Sequence, residues 1–214
     1  MKKKNKKIFI TGGGGYCGTR LVPQLLKEGY SVVVYDKFYF GNFLPKKNKK
    51  LEIIKGDIRD TKKIYKYCKG CDIFIHLACI SNDSSFELNN ALSKTINMDS
   101  FEPMVLAAKK AKIERFIYAS SSSVYGDKNK YPVHEDAKLY PKNIYGLSKK
   151  MNEEYTDIIY NNKTKYIGLR FFTVFGEWGR PDMLILKFLN YAKNKKFFLL
   201  NNSGNHSRDF TYIR

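Results

Sequence analysis

A run of four glycines between an apolar segment and a helix-like segment is the feature that most restricts the fold of this chain. Residues 11–18, with the sequence TGGGGYCG, follow the apolar residues 8–10 and fit both the GxGxxG and the TGxxGxxG patterns. In a strand–loop–helix context, glycines permit a tight turn and let the backbone approach a pyrophosphate at the helix N-terminus. Asp36 ends the next apolar run, at the spacing of a carboxylate that binds a ribose 2′-hydroxyl and repels a 2′-phosphate. The sequence therefore predicts a dinucleotide-binding loop that favours NAD over NADP; the alternative is a structural turn with a capping Asp.

Strand-like and helix-like segments alternate along most of the chain. Strands are expected at 7–11, 31–36, 52–54, 73–77, 116–120 and 166–171, and helices at 20–28, about 97–112, 145–161 and about 183–194. Such repeated βα units predict an α/β protein with a doubly wound parallel Rossmann sheet. The pattern loosens after Phe175, so we expect an NAD-binding Rossmann domain with the catalytic residues at 1–175. Residues 176–214 are then the start of a small, truncated C-terminal substrate lobe.

The formal net charge of +19 invites a nucleic-acid interpretation, but the composition does not support it. The basic residues are mostly lysines spread along the chain, and no zinc-finger, RNP-type or basic-zipper pattern occurs, so we expect no nucleic-acid partner. No run of 18 apolar residues exists, and residues 8–10 are too short for a signal peptide, so we expect a cytoplasmic protein without a membrane partner. Cys68 and Cys71 have CxxC spacing without a second pair, which favours free thiols over a metal site.

Tyr145 and Lys149 stand four residues apart in the longest helix-like segment and therefore share one face. A free tyrosine has a pKa near 10, and a neighbouring lysine cation together with a positively charged nicotinamide should lower that pKa and favour the phenolate. The serines at 120–123 end the fifth strand, at the edge where ligands bind in open α/β sheets. In a lysine-rich chain the Tyr145/Lys149 spacing is also compatible with a solvent face, and the serine run favours the reactive interpretation.

These motifs together resemble the extended short-chain dehydrogenase/reductase family, whose members are NAD-dependent and act on nucleotide sugars. The resemblance covers residues 8–214 and rests on the glycine loop, Asp36, the turn after the fourth strand, the serine run and the Tyr145/Lys149 pair. It implies that the catalytic residues are Ser121, Tyr145 and Lys149. The residues that it implies for NAD binding are Gly12, Gly15, Tyr16, Cys17, Gly18, Asp36, Asp57, Ile58, Leu77, Ala78, Tyr145 and Lys149.

The positions after Ser121 favour one reaction within that family. Ser122 and Ser123 stand where dehydratase members carry an Asp-Glu pair, so an acid catalyst for elimination is absent and epimerisation is favoured. Residues 116–214 are similar to UDP-glucuronate 4-epimerases, whereas Cys79, residues 80–92 and Glu177 depart from their usual pattern. The substrate-binding residues that this similarity implies are Ser122, Ser123 and Thr173 around the sugar carboxylate, Arg180 on the substrate and Arg208 at the diphosphate.

The reaction implied by the resemblance is a transient oxidation at C4 of the sugar. Tyr145 takes the proton of the 4-hydroxyl, Ser121 holds the same oxygen, and NAD accepts the hydride and returns it to the other face of the 4-keto sugar. The resemblance also implies a homodimer formed through the helices near 97–112 and 145–161. The departures from the UDP-glucuronate pattern leave another nucleotide-sugar epimerase or reductase as the enzymatic alternative. Family members continue beyond residues 208–213, so a truncated, catalytically inert NAD-binding module is the alternative from another class.

Overall fold

The computed structural model describes residues 6–127, 132–160, 163–205, 207 and 209–214. The strands of its main sheet are β1 Lys7–Thr11, β2 Ser31–Asp36, β3 Leu51–Lys55, β4 Ile73–His76, β5 Arg115–Ser121 and β6 Lys165–Phe171. The helices beside them are α1 Tyr16–Lys27, α2 Thr61–Cys68, α3 Asp83–Glu87, α4 Asn90–Lys94, α5 Phe101–Lys110 and α6 Ile144–Ile158. The sheet is parallel with the order β3-β2-β1-β4-β5-β6, which confirms the predicted doubly wound Rossmann fold.

Side chains from both faces of the sheet enter separate apolar cores. Phe9 of β1 packs in one cluster with residues of α2 and α5, whereas its neighbours Ile8 and Ile10 pack in the other with Val22 of α1. Successive residues of a strand point to opposite faces, so a sheet covered by helices on both sides needs nearly continuous apolar strands. This requirement explains why β1 and β2 lack the apolar–polar alternation of a half-exposed strand.

Two helices begin at places that differ from the sequence-based expectation. Helix α1 starts at Tyr16 rather than near residue 20, because Gly18 belongs to its first turn and not to the loop. Helix α5 starts at Phe101 and follows a π-helical turn, Thr95–Asp99, within the segment expected to be one helix from about 97 to 112. Pro103 lies in the first turn of α5, where its missing N–H removes no hydrogen bond within that helix.

Helix α6 carries one wall of the candidate site. Asn143 caps it by accepting a hydrogen bond from the backbone N–H of Gly146 at 2.7 Å, so the helix begins at Ile144. It ends at Ile158, three residues earlier than expected. Polar residues dominate its buried face: Tyr145, Ser148, Lys149, Asn152, Glu153 and Thr156. A buried polar face requires a partner for each polar group, and β5 supplies several of these partners.

The chain divides after Arg170 into a unit Met1–Arg170 and a second unit Phe171–Arg214. The second unit contains β7 Thr173–Phe175, α7 Leu184–Lys193 and β8 Phe210–Tyr212, with β7 and β8 paired in parallel. The expected assignment of NAD binding to residues 1–175 and of a partial substrate lobe to 176–214 stays a prediction. In the part of the chain that the structure describes, no helix is both long and apolar enough to cross a membrane.

Replacing Phe74 by Ala should strongly destabilise the fold. The Phe74 ring is fully buried and lies 4.8 Å, between centroids, from both Phe9 and Phe116. Removing it leaves a cavity that rigid strands fill poorly, so we expect the free energy of unfolding to fall by about 3–5 kcal/mol in urea denaturation. Phe40→Ala is the matched control, because that ring is 92% exposed and its loss should change the same free energy by less than about 0.5 kcal/mol. Equal losses in the two variants would contradict this account of the core.

His76, at the end of β4, should make stability depend on pH. Burial, with a smaller contribution from the Lys149 cation, lowers the pKa of His76 to about 3, and its Nδ1 lies 2.8 Å from the Thr11 hydroxyl. Below pH 6.5 the unfolded chain takes up a proton that the folded chain refuses, so this group costs about 2 kcal/mol of unfolding free energy by pH 5.

His76→Asn keeps a polar group near Thr11 but removes the titration. We therefore expect a smaller loss of unfolding free energy between pH 6.5 and 5 in this variant than in the wild-type protein. Parallel stability curves for the two proteins over that range would show that His76 titrates alike in the folded and unfolded states.

Candidate active site

The glycine loop lies against the turn that follows β4. Gly12 has a φ of +76°, and a Cβ on it would lie 2.4 Å from the backbone nitrogen of Ala78. The backbone N–H groups of Leu77 and Ala78 both donate to the carbonyl of Thr11, at 2.9 and 3.1 Å. A side chain at position 12 would therefore force apart the two strand ends that form the floor of the crevice.

The start of α1 is equally close to the loop. A Cβ on Gly18 would lie 2.4 Å from the carbonyl oxygen of Gly13, so the helix reaches the loop only because residue 18 is glycine. Gly15 is the N-cap residue of α1 and has no side chain to occupy the first helical N–H groups. Tyr16 and Cys17 are the first two helical residues and are half-buried, and burial raises the pKa of the Cys17 thiol to about 11. This end of α1 has the form of an anion-binding helix N-terminus.

Asp36 is held beside the loop by two backbone donors. Its Oδ2 accepts a hydrogen bond from the Gly14 N–H at 3.0 Å, and its Oδ1 accepts one from the Phe38 N–H at 2.7 Å. Each carboxylate oxygen has two lone pairs, so each can accept one more hydrogen bond. The position and remaining acceptor capacity of Asp36 fit the ribose-binding role expected for it.

Asp57 forms ion pairs with two nearby cationic side chains. Lys37 lies 2.9 Å and Arg59 2.6 Å from Asp57 Oδ2, and hydrogen bonds from Arg59 contribute most to holding the pKa of this carboxyl well below its usual range. Ile58 is buried next to it. Asp57 therefore keeps its charge at all ordinary pH values and arranges the loop after β3.

These features test whether the chain has room for NAD. The missing side chains at Gly12 and Gly18 leave a backbone-lined cradle, the start of α1 faces it, and Asp36 stands at its rim. A pyrophosphate needs close backbone N–H groups and no intruding Cβ, and a ribose diol needs an acceptor. The residues present meet both needs and fit a dinucleotide.

The second part of the site joins the end of β5 to α6. Ser121 is the last residue of β5; its hydroxyl donates to that of Ser123 at 3.2 Å and contributes a hydrogen bond that lowers the pKa of Tyr145 on α6. The Lys149 ammonium is almost fully buried, donates to the carbonyl of Ala119 at 2.8 Å and lies 5.7 Å from the centroid of the Tyr145 ring. The structure thus brings the three predicted catalytic residues together, while their roles remain proposals.

Burial and the Lys149 cation shift the pKa of Tyr145 in opposite directions. Burial raises the pKa of Tyr145 above its ordinary value of 10; the Lys149 cation and the Ser121 hydrogen bond lower it but do not compensate. A phenolate in a site of low polarity loses solvation, and one cation at this distance does not replace it. The Lys149 cation thus contributes with the predicted sign, and the further lowering of the pKa expected from a bound nicotinamide stays a prediction.

A buried polar network behind these residues escaped the sequence interpretation. Glu153 accepts a hydrogen bond from the hydroxyl of Ser120, the neighbour of Ser121, and forms an ion pair with Arg170 of β6 at 2.8 Å. Tyr145, Lys149 and Glu153 are spaced four residues apart and therefore lie on one helix face. An acidic residue on that face was the sequence signal that could have indicated the network.

The predicted substrate-binding residues are distributed over both units. Ser122 and Ser123 form a 3₁₀ turn directly after Ser121, and the Ser121 and Ser123 hydroxyls are 3.2 Å apart. In the second unit, Thr173 and Arg180 line the same cavity of about 330 Å³, where Arg180 pairs with Asp182 at 2.6 Å. Arg208 lies outside the described residues.

The cysteines and acidic residues offer no metal centre in the described parts of the chain. No group of three or more His, Cys, Asp or Glu side chains there could hold a metal ion. Cys68 and Cys71 are buried, and burial raises the pKa of their thiols to about 12 and about 11. Both thiols are therefore protonated, which is unsuited to metal binding.

Known proteins resemble the chain along nearly its whole length. The putative UDP-glucose 4-epimerase of Methanocaldococcus jannaschii is 32% identical, over 96% of this chain and 69% of that protein. UDP-glucuronate 4-epimerase 4 of Arabidopsis thaliana is also 32% identical, over 96% of this chain but 51% of its own length.

Solved structures give the same picture. The UDP-N-acetylglucosamine 4-epimerase of Methanobrevibacter ruminantium superposes with a TM-score of 0.91 at 28% identity, covering 98% of this chain and 70% of that one. The UDP-glucuronic acid 4-epimerase of Bacillus cereus, solved with UDP-glucuronic acid and NAD, superposes with a TM-score of 0.84 at 30% identity, covering 97% and 69%. The chain thus spans between 51% and 70% of the length of these four proteins.

A family model matches almost the whole chain. The model of the NAD-dependent epimerase/dehydratase family matches residues 8–214, the same stretch on which the resemblance to extended short-chain dehydrogenases/reductases rested. The NAD requirement of this family confirms the predicted cofactor. With this match and the site geometry in agreement, the chain belongs to the NAD-dependent epimerase/dehydratase family.

Proposed function

We propose that the protein is an NAD-dependent nucleotide-sugar 4-epimerase that interconverts UDP-glucuronate and UDP-galacturonate. The observation that carries the proposal is the arrangement of Ser121, Tyr145 and Lys149 beside a dinucleotide cradle, followed by the neutral hydroxyls of Ser122 and Ser123. The UDP-glucuronate 4-epimerases among the relatives support the choice of sugar.

Each catalytic side chain has one task in this proposal. Tyr145 accepts the proton of the sugar 4-hydroxyl and later returns it, and Ser121 holds the same oxygen through the hydroxyl that now contacts Tyr145. Lys149 is fixed by the carbonyl of Ala119 and supplies a positive charge close to the Tyr145 ring, which favours the phenolate. When bound, NAD supplies the hydride acceptor and donor for the 4-keto step.

In this proposal, each cofactor-binding residue contacts one part of NAD. Gly12, Gly15, Gly18 and the start of α1 at Tyr16 and Cys17 would hold the pyrophosphate. The remaining cofactor residues of the proposal are Asp36 at the adenosine ribose, Asp57 and Ile58 near the adenine, and Leu77, Ala78, Tyr145 and Lys149 towards the nicotinamide.

Neutral hydroxyls suit a substrate that carries a carboxylate. Ser122, Ser123 and Thr173 can donate hydrogen bonds to a sugar carboxylate without adding a charge that would stabilise its loss as carbon dioxide. An acidic side chain at these positions would repel the substrate or promote elimination. Arg180 and Arg208 complete the proposal as substrate and diphosphate contacts.

Two alternatives have specific support. UDP-glucose and UDP-N-acetylglucosamine epimerases are as similar to the chain as the glucuronate enzymes are, so another nucleotide sugar is possible for the same chemistry, as is a reductase. The second alternative is an inert NAD-binding module, which would keep the cradle around Gly12 and Gly18 without turning over a sugar. We also propose a homodimer formed through α5 and α6, because these helices expose Leu106, Leu147 and Met151. A cytoplasmic location stays part of the proposal.

Replacing Tyr145 by Phe or Lys149 by Met should remove turnover without removing NAD. We expect the rate of UDP-galacturonate formation from UDP-glucuronate to fall at least about a hundredfold, since a positioned acid–base group contributes about 10² to 10⁴. Lys150→Met is the matched control on the same helix, because Lys150 pairs with Glu154 at 3.6 Å and should not affect the rate.

The wild-type chain should be offered UDP-glucuronate, UDP-glucose and UDP-N-acetylglucosamine with NAD, and the products identified by NMR. Epimerisation of one of the other two sugars alone would replace the substrate assignment. NAD binding without any product would favour the inert module. Full activity in Tyr145→Phe would contradict its role as the base.

Gly12→Ala should weaken NAD binding at least tenfold in isothermal titration calorimetry. The new Cβ would lie 2.4 Å from the backbone of Ala78, so the loop and the β4 turn must separate and the cradle loses its shape. Gly29→Ala is the control, because its φ of +91° is as strained but no atom lies within 4 Å of the added Cβ. That variant should lose about 1–2 kcal/mol of stability and keep its affinity for NAD. Equal NAD affinities in the two variants would contradict a role of the glycine cradle in NAD binding.

A further inference from the structure

The buried ion pair of Glu153 and Arg170 connects the segments that carry the candidate catalytic residues. Arg170 Nη2 lies 2.8 Å from Glu153 Oε2, and Arg170 Nε lies 3.1 Å from Oε1, so the pair is bidentate. The side chains are only 11% exposed for Glu153 and 20% for Arg170. Such a pair has fixed geometry, which makes it suited to holding α6 and β6 in one register.

Each partner also binds a segment next to the site. Glu153 accepts a hydrogen bond from the hydroxyl of Ser120, which precedes Ser121 in β5. Arg170 Nη1 donates to the hydroxyl of Tyr125 at 3.1 Å and to the carbonyl of Glu135 at 2.7 Å. Arg170 also lies over the ring of Tyr125, 4.9 Å from its centroid.

These contacts meet at one point. The side chains of Glu153 and Arg170 join α6 to β6. They also contact the end of β5, Tyr125 after the 3₁₀ turn, and the segment that leads into α6. The Ser121–Tyr145 hydrogen bond spans the same gap between β5 and α6, on the side where the reaction is proposed. Glu153 and Arg170 therefore help to maintain the register of β5 against α6 at Ser121, next to the contact of Lys149 with the Ala119 carbonyl.

We propose that Glu153 and Arg170 are positioning residues that hold the end of β5, and Ser121 with it, against Tyr145 on α6. The inference rests on the proposed roles of Ser121 and Tyr145 and adds the pair that orients them. Neither Glu153 nor Arg170 touches the reacting atoms. Loss of the pair lets the end of β5 move away from α6, and Tyr145 then loses the hydrogen bond that favours its phenolate.

The sign of the effect separates positioning from simple electrostatics. Removing the negative charge of Glu153 would, by charge alone, make the Tyr145 phenolate easier to form and lower the pKa. Loss of the Ser121 hydrogen bond raises the pKa instead. If Glu153 only stabilised the fold, its replacement would leave the pKa of Tyr145 and the Ser121 hydrogen bond unchanged in the molecules that remain folded.

The first experiment needs neither NAD nor turnover. The full chain is labelled with ¹³Cζ-tyrosine, the Tyr145 signal is assigned by its absence in Tyr145→Phe, and spectra are recorded at pH 8. We expect Glu153→Gln to move the Tyr145 signal in the same direction as Ser121→Ala does. Adding Ser121→Ala to Glu153→Gln should produce little further change, because both changes remove the same hydrogen bond.

Thr156→Val is the matched control for this experiment. Thr156 lies on α6 and is hydrogen-bonded to the hydroxyl of Tyr118 on β5 at 2.9 Å, at a point farther along the helix from Tyr145. Its loss removes another α6–β5 contact and should leave the Tyr145 signal unchanged. If Glu153→Gln does not fold, Arg170→Lys decides, because lysine keeps the charge but cannot reach Glu153, Tyr125 and Glu135 together.

The second experiment uses the pH dependence of the proposed epimerisation. We expect Glu153→Gln to shift the acidic limb of the rate profile upward by about one pH unit, which is a tenfold loss of rate on that limb, with little change in KM. A Tyr145 signal and a pH profile like those of the wild type, or a downward shift, would overturn the positioning role. Absence of turnover in the wild-type chain would count against the proposed function only, because the Tyr145 signal still tests this inference.

Discussion

The close contact between the glycine loop and the turn after β4 is the constraint on which the rest of the structure depends. It lies between β1 and β4, where the strand order reverses and the connections diverge to opposite faces of the sheet. In open α/β sheets this divergence leaves a crevice at the carboxyl ends of the strands. Gly12 lets the two strand ends meet without a side chain between them, so the floor of the crevice is backbone and no Cβ intrudes into it.

Much of the fold was predictable because periodicity and loop chemistry pointed to the same answer. The strands are apolar on both faces, which requires helices on both faces, and the loop motif indicated which crevice binds a ligand. The start of α1 was harder to predict, because a glycine such as Gly18 normally indicates a loop. Only the structure shows that Gly18 lies in the first helical turn and packs against Gly13. The π-helical turn Thr95–Asp99 has no spacing signature at all.

The candidate site also combines local relations that the sequence could predict with tertiary contacts that it could not. Helical spacing placed Tyr145 and Lys149 on one face correctly, because that relation is local. The link from Glu153 to Arg170 is tertiary, since it joins α6 to β6 and depends on how the two pack. Spacing could therefore mark Glu153 as an acid on a buried face in need of a partner, but it could not name the partner. The net pKa of Tyr145 escaped prediction for a related reason, because burial is set by the packed structure rather than by neighbours in sequence.

The balance at Tyr145 also bears on how its reactivity is controlled. Burial raises its pKa more than Lys149 and the Ser121 hydrogen bond lower it, so the protein alone keeps the phenol protonated near neutral pH. Lys149 cannot be moved closer without losing the Ala119 carbonyl that holds it. Further stabilisation of the phenolate must then come from a positive charge that arrives with a ligand, as the nicotinamide of NAD would provide. In the proposed reaction, a site balanced in this way would have a strong base only with its cofactor in place, which would tie proton removal to the presence of the hydride acceptor.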